Sequence, residues 1–116
     1  MKTLFILNDP PYGTERSYNG LRLAGSMVTK QESAEVDVFL MGDAVACAKA
    51  GQATPNGYYN LERMLKPVLR RGRVLLCGSC MDARGLTEAE IVEGAKRSTL
   101  EELTQLSNAA DKVIVF

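Results

Sequence analysis

Four short apolar runs limit what this chain can become: Leu4–Leu7, Val36–Met41, Arg73–Cys77 and Val113–Phe116. Each is too short for a stable helix and nearly continuous in apolar side chains, the pattern of strands buried on both faces. Between them run segments with helical period. Thr14 is placed to cap a helix that turns Leu21, Ala24, Met27 and Val28 to one face. Gly42 and Asp43 turn the second run into a short Ala-rich helix, Ala44 to Lys49, with Asp43 as its expected N-cap. Asn60 caps a third helix carrying Leu61, Met64, Leu65, Val68 and Leu69 inward, with Pro67 expected to kink its last turn. Arg70, Arg71 and Arg73 fall where that helix ends and read as a solvated cap on its dipole. Thr87–Glu90 and Ser98–Glu101 each have capping-box form, the second opening a helix that points Leu100, Leu103, Leu106 and Ala110 at the core.

Apolar strands alternating with helices require a parallel sheet covered on both sides. The expected fold is therefore a three-layer α/β/α sandwich with a parallel sheet of four to five strands, a single domain over residues 1–116. The fifth strand, where helix and strand signals conflict, is placed at Ile91–Glu93, and the final run is expected to be a buried part of the core.

Charge and residue usage narrow the function. Fourteen basic and fourteen acidic side chains cancel, and no basic run exists, so a nucleic-acid partner is not expected. No apolar stretch reaches the roughly 20 residues that span a bilayer, and no signal-like segment follows Met1, so no membrane partner and a cytoplasmic location are expected. The chain has no histidine, which removes the usual general base and the commonest zinc ligand. Three cysteines, an odd number, do not make a disulfide framework. Cys47, among alanines, reads as packing.

The third run ends at Cys77 and opens into Gly78-Ser79-Cys80-Met81-Asp82-Ala83-Arg84-Gly85, read as a small polar loop. The crevice outside the carboxyl ends of parallel strands is where ligands and reactive groups collect, so Cys77 is a candidate reactive thiol as well as a small strand-end hydrophobe. A structural zinc would lack ligands, and no metal or cofactor is implied. A thioredoxin-like dithiol would set Cys77 just before a helix, where the two glycines argue for a loop. The remaining reading is a single nucleophilic or persulfide-carrying thiol at Cys77, with Arg84 and loop amides favouring its anion and Cys80 as an optional second thiol.

Several motifs then carry a resemblance: Pro11-Tyr12-Gly13 with Glu15, Leu21–Ala24, Phe39–Met41 followed by Asp43-Ala44-Val45, Gly57-Tyr58, Cys77-x-x-Cys80-x-Asp82-x-Arg84-Gly85 and Ala110–Val113. Together, over essentially the whole chain, they resemble the DsrE/DsrF family and most closely its YchN-like branch. The resemblance implies a parallel α/β/α fold, rings built from trimers, and a cysteine that carries sulfane sulfur within a relay. Counted back from Arg84-Gly85, the carrier position is Cys77.

The expected function is thus a small sulfur carrier of sulfurtransferase type in which Cys77 accepts sulfane sulfur as a persulfide and passes it to a partner thiol. Donor and acceptor proteins are its expected partners, and the assembly a trimer or hexamer. Lowering the pKa of Cys77 helps attack only modestly, because nucleophilicity falls with basicity, but it speeds departure when Cys77 is the leaving group. Arg84 is accordingly expected to act on that departure. Two rivals stand beside this reading: a dithiol redox protein using Cys77 and Cys80, and a non-catalytic oligomeric module binding a small ligand near Tyr12, Asp43, Tyr58, Asp82 and Cys77. For Tyr12 a structural role as a loop pin is expected.

Overall fold

The structure, a computed structural model, describes residues 1–116. Five parallel strands, β1 (Lys2–Leu7), β2 (Glu35–Leu40), β3 (Arg73–Cys77), β4 (Lys96–Ser98) and β5 (Lys112–Val115), lie in the order β4-β3-β2-β1-β5. Helix α1 (Arg16–Lys30) connects β1 to β2, and α2 (Leu61–Met64) and α3 (Lys66–Arg71) connect β2 to β3. Helix α4 (Gly78–Ala83) follows β3, and α5 (Leu100–Ala109) leads from β4 to β5.

The layering follows from the handedness of parallel crossovers. From β1 to β4 the chain steps always toward the same edge, so its right-handed connections fall on one face of the sheet. The step from β4 back across the sheet to β5 runs the other way and puts α5 on the opposite face. The core divides accordingly. Phe5, Leu7, Val36, Val38, Leu40, Val74 and Leu76 meet Leu21, Ala24 and Val28 of α1 and Leu61, Leu65 and Val68 of α2 and α3. Leu4, Phe39, Leu75 and Cys77 meet Leu103 of α5. Each fully buried Leu, Val or Phe contributes about 1.5–3 kcal/mol, so the first face supplies most of the hydrophobic stabilisation.

The expected strands, caps and sandwich are present, with differences at particular residues. The fifth strand is Lys96–Ser98, not Ile91–Glu93; Ile91 makes only an isolated antiparallel bridge to Lys49. A three-residue edge strand with two charged side chains has no apolar signature to detect. The Ala-rich segment is a 3₁₀ helix, Gly42–Ala48, capped by Met41 rather than Asp43. Glu15, not Thr14, occupies the N-cap of α1; the Thr14 hydroxyl donates to Asp9 at 3.0 Å and accepts the amide of Arg16, the first residue of the helix, at 3.3 Å. Asn60 caps α2 as expected, its side chain accepting the Arg63 amide at 3.0 Å. Pro67 breaks the helix ahead of itself, between α2 and α3, because it has no N–H to extend the ladder from α2.

Arg71 reaches across to the carbonyls of Val28, Gln31 and Glu32, ending α1 rather than its own helix. Arg73 pairs with Asp37 at 2.8 Å. Leu100 is 67% exposed, and the final strand is an edge: Val113 and Val115 lie open on the α5 face, and Ile114 and Phe116 alone turn to the other. A terminal strand can be stable with one face dry when its ladder to β1 and the packing of Phe116 on Phe5 hold it.

Gly72 joins α3 to β3 where the backbone passes closest to β2. A Cβ there would stand 1.8 Å from the Val36 carbonyl oxygen, an atom that cannot move without breaking the sheet. Gly72→Ala should therefore destabilise the fold by about 2 kcal/mol or more, measured as a lowered urea midpoint at unchanged slope.

Candidate functional site

The site is built where β3 passes directly into α4. The Gly78–Gly85 segment, expected as a loop, begins as helix: Cys77 is at once the last residue of the strand and the N-cap of α4. Gly78 and Ser79 do not prevent a helical turn when the strand end fixes the entry and Met81 anchors the turn in the core at 0% exposure. The alternative that places a cysteine immediately before a helix, set aside on sequence grounds, has that geometry here.

Cys77 is 7% exposed, enough to be reached by a small reagent at one point of its surface. Its sulfur lies 3.3 Å from the Ser79 hydroxyl. It makes no side-chain cap hydrogen bond, yet the amides of Ser79 and Cys80 stand close enough to favour its anion. Burial pushes its pKa up; hydrogen bonding from the Cys80 thiol, the Ser79 hydroxyl and those two amides outweighs burial and holds Cys77 below the ordinary cysteine value. Cys80 moves the other way, raised first by its hydrogen bond to Cys77 and then by burial, against the lowering influence of the Gly42 amide and Arg84. The two thiols titrate as a pair, with Cys77 shifted toward the anion and Cys80 away from it. Cys47 packs fully buried in the core, and desolvation pushes its pKa up to about 12.

Arg84 is not turned to Cys77 as expected. Its Nε donates to Asp43 at 2.8 Å and its Nη1 to the Cys80 carbonyl at 3.0 Å, so it ties α4 to the 3₁₀ segment after β2 beside the second cysteine. A second arginine at the site is Arg97, from β4, whose guanidinium lies against Gly78, the residue after Cys77, and which the sequence reading did not single out. Arg97 forks onto Asp82 through Nη1 to Oδ1 at 2.8 Å and Nη2 to Oδ2 at 2.9 Å. The Arg97 guanidinium holds the Asp82 carboxylate below its usual range. No sequence signal marked Arg97, because it becomes a neighbour only through the pairing of Leu76 with Arg97 and Cys77 with Ser98.

The structure thus brings Cys77, Cys80, Asp82, Arg84 and Asp43 together around α4. Tyr12 and Tyr58 are placed otherwise. The Tyr12 hydroxyl donates to Gln52 and accepts the Leu61 amide at 3.3 Å, a pin between the loop after β1 and the start of α2, as expected for a structural role. Tyr58 is 68% exposed and meets Tyr59 edge to face.

Comparison with known proteins gives a consistent picture. A family model described as the DsrE/DsrF-like family matches residues 1–116. The chain is 36% identical over 116 residues to Protein YchN of Escherichia coli, covering 99% of this chain and 98% of that protein. It is 38% identical over 117 residues to the uncharacterized protein MJ0989 of Methanocaldococcus jannaschii, covering all of both. The crystal structure of the E. coli ychN protein matches with a TM-score of 0.94 at 36% identity, covering 100% of this chain and 99% of that one. MTH1491 of Methanobacterium thermoautotrophicum, a protein of unknown function, shares the fold with a TM-score of 0.75 at 13% identity over 99% and 98% of the two chains.

The ionisation order makes a direct prediction. A thiol held below the ordinary value is more fully thiolate near neutrality, and its reaction rate levels off at a lower pH than that of a free thiol. Peptide-resolved iodoacetamide labelling at pH 7 should modify Cys77 first, Cys80 more slowly and Cys47 not at all in the folded protein. Equal labelling of Cys77 and Cys80 across pH 6–9 would show that the anion is not localised.

Proposed function

Starting from the fact that this chain belongs to the DsrE/DsrF-like family, a family of sulfur-relay type, we propose that Cys77 carries sulfane sulfur as a persulfide and hands it to a partner thiol. The observation that carries this reading is the direct junction of β3 and α4, which makes Cys77 both the last residue of the strand and the N-cap of the helix, with the second thiol, Cys80, in the first turn that follows.

Loading begins when the Cys77 thiolate attacks the terminal sulfur of a donor persulfide. A new S–S bond forms at Cys77, and the donor sulfur leaves with the electron pair as a thiolate. Transfer is the reverse in kind: a partner thiolate attacks the terminal sulfur, and the bonding pair returns to the Sγ of Cys77. Both halves are thiolate exchange, and neither needs a base, which suits a chain without histidine. The low basicity of Cys77 serves mainly the second half, because a less basic thiol leaves faster. Donor and acceptor proteins in a reducing cytoplasmic setting are the partners this chemistry calls for. No helix of the structure is long and apolar enough to cross a membrane.

The placement of Cys80 in the helical turn that begins at Cys77 favours a second use of Cys80. As a thiolate it can attack the Sγ of a loaded Cys77, closing a Cys77–Cys80 disulfide and releasing the terminal sulfur as hydrosulfide. Restoring the thiols would then need a dithiol reductant. The same pair would support a dithiol redox protein, so the two variants must be compared directly.

Homo-oligomerisation into a trimer or hexamer forms part of the proposal. The open edge of β5 and its exposed Val113 and Val115 supply an apolar strip and an unpaired ladder that a second copy would cover. Light scattering at micromolar concentration should return a multiple of the 12.6 kDa chain mass, and a monomer there would contradict this part.

Intact mass after one exposure to a persulfide donor tests the carrier. The wild type should gain one sulfur, Cys77→Ser none, and Cys80→Ser one sulfur that persists longer than in the wild type. Loss of the adduct in Cys80→Ser alone would exchange the two roles, loss in both would favour the dithiol mechanism, and retention in both would remove Cys77 from the chemistry.

A further inference from the structure

Arg97 is held from three directions. Its backbone lies in the β3–β4 ladder opposite Leu76, one residue before the pair of Cys77 with Ser98. Its Nη1 and Nη2 are committed to the two oxygens of Asp82. Its other edge rests against Gly78, the residue that follows Cys77. A Cβ built at Gly78 would stand 2.7 Å from Nε, 2.8 Å from Cζ and 3.0 Å from Nη2, so the guanidinium occupies the space a side chain would take. The guanidinium is therefore oriented, its Nε–Cζ–Nη2 side against the residue next to Cys77 while Nη1 and Nη2 bond the carboxylate. An oriented pair with no net charge still imposes a field on a neighbour that lies closer to one end than to the other.

We propose that Arg97, fixed by Asp82 in the space left by Gly78, is the positioning residue that sets the charge of Cys77 and steadies its sulfur as it leaves. The inference deepens the sulfur-carrier reading and rests on it for the transfer half; the effect on the free thiol stands independently. Asp82 is what chiefly holds Arg97 above its ordinary value, with smaller contributions from Glu88 and, last, Cys77. The other groups around Cys77 are accounted for. The Ser79 hydroxyl stands 3.3 Å from its sulfur, and Ser79 and Cys80 are the neutral groups of α4 that favour its anion. Arg84 is bound to Asp43 and to the Cys80 carbonyl. Glu102 of α5 accepts from the Ser98 hydroxyl beside it. Among these, Arg97 is the cation whose placement the chain secures by leaving residue 78 without a side chain.

The roles separate in the pH dependence of Cys77 alkylation, read by peptide mapping in variants checked by circular dichroism for folding. Arg97→Gln should move the Cys77 profile to higher pH and slow labelling at pH 7 about threefold or more, while Arg97→Lys recovers part of the loss because the charge remains and the fork does not. Gly78→Ala keeps every charge and should move the profile the same way by displacing the guanidinium. An unchanged profile in both Arg97→Gln and Gly78→Ala overturns the proposal, as does a shift in Arg84→Gln as large as that in Arg97→Gln. If Arg97→Gln does not fold, Gly78→Ala and Arg97→Lys decide: unchanged profiles in both overturn the assignment, and a shift in Gly78→Ala larger than in Arg97→Lys supports it. Persulfide transfer is followed alongside. A wild type that takes up no sulfur refutes the carrier reading while the alkylation profiles still judge Arg97; a wild type that loads and transfers, with Arg97→Gln slowed in transfer more than in loading, supports both.

Discussion

Everything at the candidate site depends on one backbone junction, the passage from β3 to α4 with no connecting residue between them. A strand fixes the position of its last side chain through its ladders, here to β2 as far as Leu76 and to β4 through the pair of Cys77 with Ser98. A helix that begins on the next residue aims its first free amides back at that same side chain. Cys77 is therefore placed by the sheet and biased toward its anion by the helix. Met81 anchors the turn from below, and the Gly42 amide, Arg84 and Asp43 fix its outer side to the end of β2. Without the junction, the site would be two thiols on a polar loop.

The distribution of burial explains how such a junction is held still. One face of the sheet carries α1, α2 and α3 and most of the apolar core, so β1, β2 and β3 are anchored from that side whatever happens on the other. The second face has only α5, and its smaller cluster includes Cys77 itself. Cys77 thus belongs to the thinner layer, next to the more exposed half of the molecule, while its strand is rooted in the thicker one. That arrangement reconciles a fixed sulfur with an accessible one.

Much of the fold was legible because it rests on local patterns. The apolar runs marked β1, β2, β3 and β5, Asn60 and the Thr87–Glu90 box marked helix starts, and alternation of strand and helix gave the parallel sandwich. What escaped detection depended on pairing. β4 has Lys96 and Arg97 in a three-residue strand, and its identity comes from the ladder to β3 rather than from its own composition. At the site, Cys77 and Cys80 were legible from the end of an apolar run and a short spacing. The direction of Arg84 was not, because a carboxylate 41 residues earlier in the chain, Asp43, competes for it. Arg97 was invisible for the same reason as β4. The glycines misled in the opposite sense: Gly78 looked like a loop former and is instead a helical residue kept small because a guanidinium occupies its side-chain space.

The brevity of β4 has a consequence for how the molecule breathes. An edge strand of three residues is held by few ladder bonds and opens at a much smaller free energy than the central strands, well short of global unfolding. The side chain of Arg97, forked onto Asp82 and seated against Gly78, ties this margin to α4 and works against such opening. Amide exchange at Arg97 and Ser98 therefore reports how firmly a side-chain tether can close an edge that its own backbone holds weakly.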